Sequence, residues 1–435
     1  MAELRKDLSG FGLTMIAIGS CIGAGIFMTP AQVASELPLP FWIIIVWAAG
    51  GLVALTGALT FAELGGLFPK AGGVYVFLKE AYGDFVAFLY GFAILLVITS
   101  GALAALAEGF AQYAQYFFNL DPKSVKIIGI ASLAFLTIIN ILGVKLGEIV
   151  INIVTSTKLL GIAGVILVGL AIALPDPHPV DFSPATTQTN MLTAFFLAFI
   201  GVFFSYGGWH HASYLAAEVQ NPQRNVPRAM IIGTLVVSVT YILTNLAYLY
   251  MLPVDELAAS TAVASDGLGR YFNIGGKLIA LLIMISVFGT IAIYTMTAPR
   301  IYFAMAKDKV FFPQLARVHP RFNTPYIAIL VQSAWAILLL LFWNTFEDMI
   351  TYVVFMDLIF MALAAISIFI FRKKKSEEAR PYRTIAYPVV PAIYIIINII
   401  FIFNTLIQKP VQAWAGIIVV TIGFGFYFYF KNRLK

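Results

Sequence analysis

An all-α integral membrane protein with twelve transmembrane helices is the fold class the sequence predicts, on three observations. Of 435 residues 61% are apolar and only 11% charged, the mean hydropathy is +0.92, and long apolar runs recur from Phe11 almost to the C-terminus. A soluble domain carries about 25% charge, so this chain has too little polar surface to cover itself in water. A helix needs about 20 apolar residues to cross a ~30 Å hydrocarbon core, and it satisfies its own backbone where water is absent. No polar segment is long enough for a soluble domain, so residues 1–435 read as a single membrane domain.

Apolar runs between loop signals place the spans near 11–36, 41–67, 85–117, 125–143, 148–173, 191–218, 229–252, 277–303, 325–343, 347–371, 385–408 and 412–430. The closest junctions are Phe342 to Glu347 and Gln408 to Gln412. The leading MAELRKDLSG runs into an apolar stretch too long for a signal-peptide core and without a small-residue cleavage site, so no removal is expected. Lys and Arg set the orientation. With the N-terminus inside, all but six of the 27 basic residues fall on the cytoplasmic side; Lys123, Lys126, Arg270, Lys277 and Lys409 lie outside and Lys158 within span 5. Both termini are then cytoplasmic in a multi-pass protein of the cell membrane. The net charge of +6 resolves into these loop clusters, a topological signal rather than a nucleic-acid footprint. Cys21 is the one cysteine and the histidines number four. No metal-ligand spacing, HExxH motif or paired-carboxylate pattern occurs, so neither a metal, a cofactor nor an enzyme is expected.

Two glycine interruptions carry the signal for mechanism. Span 1 reads GLTMIAIGSCIGAGIFMTPAQVA, with Gly23-Ala24-Gly25 midway, and span 6 reads AFFLAFIGVFFSYGGWHHASYLAAE, with Gly207-Gly208 midway. One such site alone would most simply permit close packing. Two, five spans apart and therefore of opposite direction, predict an inverted repeat of five helices each, over 11–173 and 191–371, with 385–430 adding two helices.

A helix broken at the midplane frees backbone groups that hydrocarbon cannot satisfy, tolerable only beside a polar ligand or water. The outer half of span 1 begins at its break, and its N–H groups favour a carboxylate. The inner half of span 1 and the outer half of span 6 end there, and their carbonyls favour an ammonium. The gap thus matches the zwitterion of an α-amino acid. Its lining by Ile22, Ile26, Phe204, Ser205, Tyr206 and Trp209, with no Asp or Glu within one turn of either break, predicts small or medium neutral amino acids and disfavours cations. Phe204 or Trp209 would serve as gate or lid. A bulky residue at Gly25 or Gly207 is expected to abolish binding.

IGSCIGAGIF, FAELGGLFPKAGGVYVFLKEAYG, FFSYGGWHHASYLAAEVQNPQRNVPRA and SVFGTIAIYTMTAPRIYFAMAKDKVFFPQL together resemble the amino acid–polyamine–organocation (APC) superfamily, and within it bacterial members of the L-amino acid transporter (LAT) branch. The resemblance spans nearly the whole chain. It implies the LeuT-type fold, with spans 1 and 6 central, spans 3 and 8 beside them, and spans 11 and 12 outside the repeat. It also implies that Gly23, Ala24 and Gly25 receive the carboxylate, and Ile22, Phe204, Ser205 and Gly207 the ammonium or side chain. His210 stands where the family commonly has an amide residue, which opens a role in selectivity or pH dependence. Animal members are disulfide-linked to a single-span subunit through a cysteine between helices 3 and 4. The corresponding NLDPKSVK has none, so no such linked subunit is expected.

Lys158 lies ten residues beyond Glu148 in span 5, about 15 Å deep. An unpaired ammonium there costs at least ~2.5 kcal/mol, so it should reach the freed carbonyls of span 1 and organise its inner half. STKLLGI resembles the segment whose lysine stands where sodium-coupled relatives hold sodium, which implies sodium-independent transport. Glu63 and Lys70 would form part of an inner gate or a solvated face. Glu108 lies near an outer helix end, and Asp357, about 15 Å into span 10, should face a cavity. Arg372 to Lys375 form a topological anchor. The expected activity is alternating-access exchange of neutral L-amino acids. Proton-coupled symport is the alternative, and a channel or membrane sensor the alternative of another class, without the repeated filter sequence or soluble domain it needs.

Overall fold

The computed structural model describes residues 4, 6–121, 123–173, 180–184, 190–272, 275–342, 346–375 and 378–433. Arg5 and Lys435, counted above among the inner charges, and part of the junction after Phe342 lie outside them. Eleven helices among these residues are long and apolar enough to cross a bilayer, and a shorter apolar helix, Tyr326–Phe342, supplies the remaining span. The protein is thus an all-helical, twelve-span membrane protein.

Span 1 consists of α1 (Gly10–Cys21) and α2 (Gly25–Glu36). Spans 2 to 5 are α3 (Pro40–Leu67), α5 (Asp84–Phe118), α6 (Ser124–Ile141) and α7 (Val144–Val168). The short amphipathic α4 (Val74–Tyr82) precedes α5 and was not read from the sequence. Span 6 is α8 (Met191–Tyr206) followed by the single turn α9 (His211–Tyr214), and span 7 is α10 (Pro222–Met251). After α11 (Val254–Ala259) and α12 (Val263–Gly269), span 8 divides into α13 (Gly275–Thr297) and α14 (Pro299–Lys307). Spans 9 to 12 are α15 (Tyr326–Phe342), α16 (Phe346–Lys374), α17 (Val389–Gln408) and α18 (Pro410–Arg433).

The ends follow local chemistry. The Ser9 hydroxyl accepts the Gly12 N–H at 2.9 Å and donates to Glu148 at 2.7 Å, capping α1. Pro40, Pro222 and Pro299 occupy first helical turns, where a missing N–H costs nothing. Pro222 makes span 7 start earlier than its apolar run at 229, and Pro299 divides span 8 where a continuous helix was expected.

Burial orders the bundle. The most apolar windows of spans 1 and 3 are 83% and 89% buried, whereas those of spans 11 and 12 are 33% and 28% buried, so the former are central and the latter face lipid. α2 packs on α8, bringing the two divided spans together, and α13 packs along α5. Two ion-pair knots fasten the end of the bundle rich in basic residues. Glu63 accepts from Arg372 at 2.7 Å through both oxygens, from Arg380 at 3.0 Å and from the Thr384 N–H at 2.8 Å. Lys70 pairs with Glu80 instead of Glu63. The second knot is the fully buried Arg300, bidentate to Glu218 at 2.8 and 3.0 Å, whose backbone carbonyl also accepts the Leu8 N–H at 2.9 Å.

Candidate functional site

α1 stops at Cys21, Ile22 turns away with φ −76° and ψ 85°, and α2 restarts at Gly25. The helix end leaves carbonyls without intrahelical partners, and side chains from three other spans meet them. Lys158 Nζ, wholly buried, donates to the Gly19 carbonyl at 2.9 Å, the Ile22 carbonyl at 2.7 Å and the Thr290 hydroxyl at 2.8 Å. These three contacts use all three ammonium hydrogens. Thr290 lies 2.9 Å from the same two carbonyls, and the Tyr241 hydroxyl donates to Cys21 O at 2.8 Å. A fixed cation at the C-terminal end of α1 offsets its dipole. On the other side of the gap the N-cap of α2, Ala24, has no side-chain acceptor for the first N–H groups, which leaves them for an anion.

α8 stops at Tyr206. Gly207 is extended and Gly208 takes φ +114°, a left-handed conformation that disfavours any side chain. A Cβ on Gly208 would also stand 2.7 Å from the Ser20 carbonyl, and one on Gly25 2.6 Å from the Ser205 hydroxyl and 2.8 Å from its Cα. The two breaks are therefore pressed together at two points where only glycine fits. Ser205 donates to Gly201 O at 2.8 Å and lies 2.8 Å from the Thr29 hydroxyl. Tyr241, donating to Cys21, is also 3.1 Å from Ser205 O and so touches both breaks.

Beyond Gly208 the chain opens into a cavity of about 70 Å³. Phe204, Gly207, Trp209 and His210 line it, whereas Ile22, Gly23, Ala24, Gly25, Ile26 and Ser205 do not and lie in the packed seam beside it. His210 is buried, with Nδ1 unpartnered among the described residues. The neighbouring His211 is held by the Thr297 hydroxyl at 2.7 Å and stacks on Tyr294 at 4.2 Å. Span 3 reaches the cavity through Ile98 and Thr99, the last residue of the π-helical stretch Ile94–Ile98 and the one after it. Span 10 contributes Asp357. Trp209 rests edge-on against Phe61 at 5.3 Å. Elsewhere, Glu108 pairs with Lys126 at 3.4 Å.

Reading the sequence missed Tyr241, Thr290 and Tyr294, which no motif marks, whereas it expected Asp357 to face a cavity, as it does, without placing that cavity beside the span 6 break. Depth in the span was the signal for Asp357; its neighbours were not legible.

Comparison with known proteins agrees with this architecture. A family model described as amino acid permease matches residues 8–427. The chain is 34% identical to the serine/threonine exchanger SteT of Bacillus subtilis (strain 168), over 99% of this chain and 98% of that protein. It is 30% identical to the b(0,+)-type amino acid transporter 1 of Homo sapiens, over 94% of this chain and 84% of that protein. It is 28% identical to the Asc-type amino acid transporter 1 of Mus musculus, over 99% and 83%.

Proposed function

The chain belongs to the amino acid permease family, and from that membership we propose that it exchanges small or medium neutral L-amino acids across the cell membrane by alternating access, without sodium. The carrying observation is the pair of divided spans held together by Gly25 and Gly208, which sets uncapped N–H groups and a cavity side by side at one gap. The α-carboxylate goes to the start of α2, around Gly23, Ala24 and Gly25. The ammonium goes to the carbonyl side of the gap, around Ile22, Ser205 and Gly207, and the side chain extends toward Phe204, Trp209 and His210. Ile26 backs the carboxylate end. Neither headgroup needs a charged side chain of the protein.

Lys158 supports the sodium-independent part of the reading. Its ammonium already occupies the carbonyls of Gly19 and Ile22, so a fixed charge organises the inner half of span 1. Exchange is also the action in the printed name of the Bacillus subtilis relative. The two five-helix halves, 11–173 and 191–371, supply the rocking bodies, with spans 11 and 12 outside them. Both termini are cytoplasmic, and no disulfide-linked subunit attaches, Cys21 lying buried inside span 1.

Uptake of labelled neutral amino acids into proteoliposomes tests this. Uptake should require an internal amino acid, proceed equally in sodium and choline media, and fail for the decarboxylated amines. A sodium requirement, uptake into empty vesicles at the same rate, or equal uptake of an amine analogue would each overturn the corresponding part.

A further inference from the structure

Away from both breaks, at the end of the bundle rich in basic residues, the N-terminal segment, the turn before α4, α4 itself and the end of α14 border an open cavity of about 460 Å³. Four lysines line it, Lys6, Lys70, Lys79 and Lys307, against two carboxylates, Glu80 and Asp308. Lys70 pairs with Glu80 at 3.2 Å and Lys79 with Asp308 at 2.7 Å, while Lys79 also lies 3.9 Å from Asp84. The Tyr75 hydroxyl donates to Asp308 at 2.8 Å, fixing that carboxylate at the joint between α4 and α14. Lys307 rests over the Phe303 ring at 4.8 Å, and among the described residues neither it nor Lys6 has a carboxylate partner. Both are exposed, whereas Val76 and Phe303 add buried apolar surface to the lining.

Two ammonium groups left over in a cleft with apolar walls attract an anion more strongly than lysines on an open surface do. Their excess charge matches a phosphate, which carries about −1.5 to −2 near neutral pH. The carboxylates decide among oxyanions. A phosphate that keeps one proton has an O–H to donate to a carboxylate, a short and strong bond, whereas sulfate only accepts and is repelled by both acids. We propose that this cavity binds a phosphate group, either free phosphate or the phosphomonoester headgroup of a membrane lipid. Lys6 and Lys307 supply the charge, and Glu80 or Asp308 accepts the phosphate O–H. None of these residues belongs to the transport site, so the inference stands apart from the transport reading. Ala217, next to Glu218 of the second ion-pair knot, also lines the cavity, so a bound phosphate touches four separate stretches of chain and favours the arrangement that holds them together.

The test is equilibrium dialysis of the full chain in detergent with labelled inorganic phosphate, against sulfate and chloride at matched ionic strength. Phosphate should occupy a single saturable site, at least about tenfold more tightly than sulfate, and should raise the melting temperature. The double variant Lys6→Gln, Lys307→Gln should lose about tenfold or more in phosphate affinity and most of the thermal shift. In Glu80→Gln, Asp308→Asn the repelling charges are gone, and sulfate should bind about as tightly as phosphate. Equal binding of the two anions by the wild-type protein, or phosphate binding untouched in the lysine variant, overturns the assignment. So does the absence of saturable binding by both phosphate and phosphatidic acid. Nanodiscs separate the sources. Displacement of bound phosphate by phosphatidic acid, but not by phosphatidylglycerol at the same mole fraction, supports a lipid headgroup; binding that phosphatidic acid leaves unchanged supports free phosphate. None of these readouts uses transport, so the exchange reading is tested separately.

Discussion

At the break in span 1 the carbonyls of Gly19, Cys21 and Ile22 all meet donors, from Lys158, Thr290 and Tyr241, whereas at the break in span 6 the chain turns straight into a cavity whose lining includes His210 and Asp357, each with a polar atom unpartnered among the described residues. Both interruptions arise from the same residue type, and donors reach carbonyls at each, Tyr241 and Cys21 meeting Ser205 and Tyr206, yet it is the glycines of the second that line the cavity. A gap whose carbonyls are filled serves as a rigid frame, and a gap with unmet polar demand is where a ligand gains most. The N–H side of the first break, without a side-chain cap at Ala24, is the part of that frame on which the proposed carboxylate site rests.

Gly25→Leu attacks both breaks at once, because its Cβ already overlaps Ser205. Exchange should fall by at least about 100-fold, ~2.7 kcal/mol, with the protein still inserted; transport at the wild-type rate and affinity would show that the two breaks do not form one site. Lys158→Ala strips the frame of its cation and leaves buried carbonyls short of donors, so exchange should drop about 10- to 100-fold, again in sodium and choline alike. An untouched rate would remove Lys158 from the frame. Thr290→Val deletes one hydroxyl from the same cluster and should cost about 1 kcal/mol, read as a few-fold fall in exchange or a lower melting temperature in detergent. Gly207→Ala tests the open side: its Cβ would meet nothing nearer than the Phe204 carbonyl at 3.3 Å, so exchange should change less than about threefold. A loss as deep as that of Gly25→Leu would mean that the second break is as tightly constrained as the first.

The helix count was legible because hydrocarbon leaves a chain so few options, and length plus apolarity is enough to read them. Both breaks were legible as well, since glycine at mid-span is visible without any partner. What escaped was long-range. Tyr241 lies 220 residues from Cys21, and Thr290 271 residues from Gly19; a hydroxyl in an apolar helix carries no mark of which backbone it will find. Gly208 illustrates the same limit at short range. It stands beside Gly207 in one dipeptide, yet only packing against Ser20 shows that Gly208 holds the strained conformation. α4 was hidden because nine amphipathic residues in a loop signature give too short a period to separate from a turn.

The buried pair between Arg300 and Glu218 constrains how the molecule can change shape. Stranding either charge in a dry interior costs ~3–5 kcal/mol, a penalty that moving the pair intact avoids. The stretch around Glu218, the Leu8 backbone bonded to it and α14, which carries Arg300, are therefore expected to move as one lever, with flexing at its two ends, at Gly207-Gly208 and at the division of span 8 ahead of Pro299. Spin labels on the lever should keep a fixed spacing from one another while their distance to span 2 alternates with substrate.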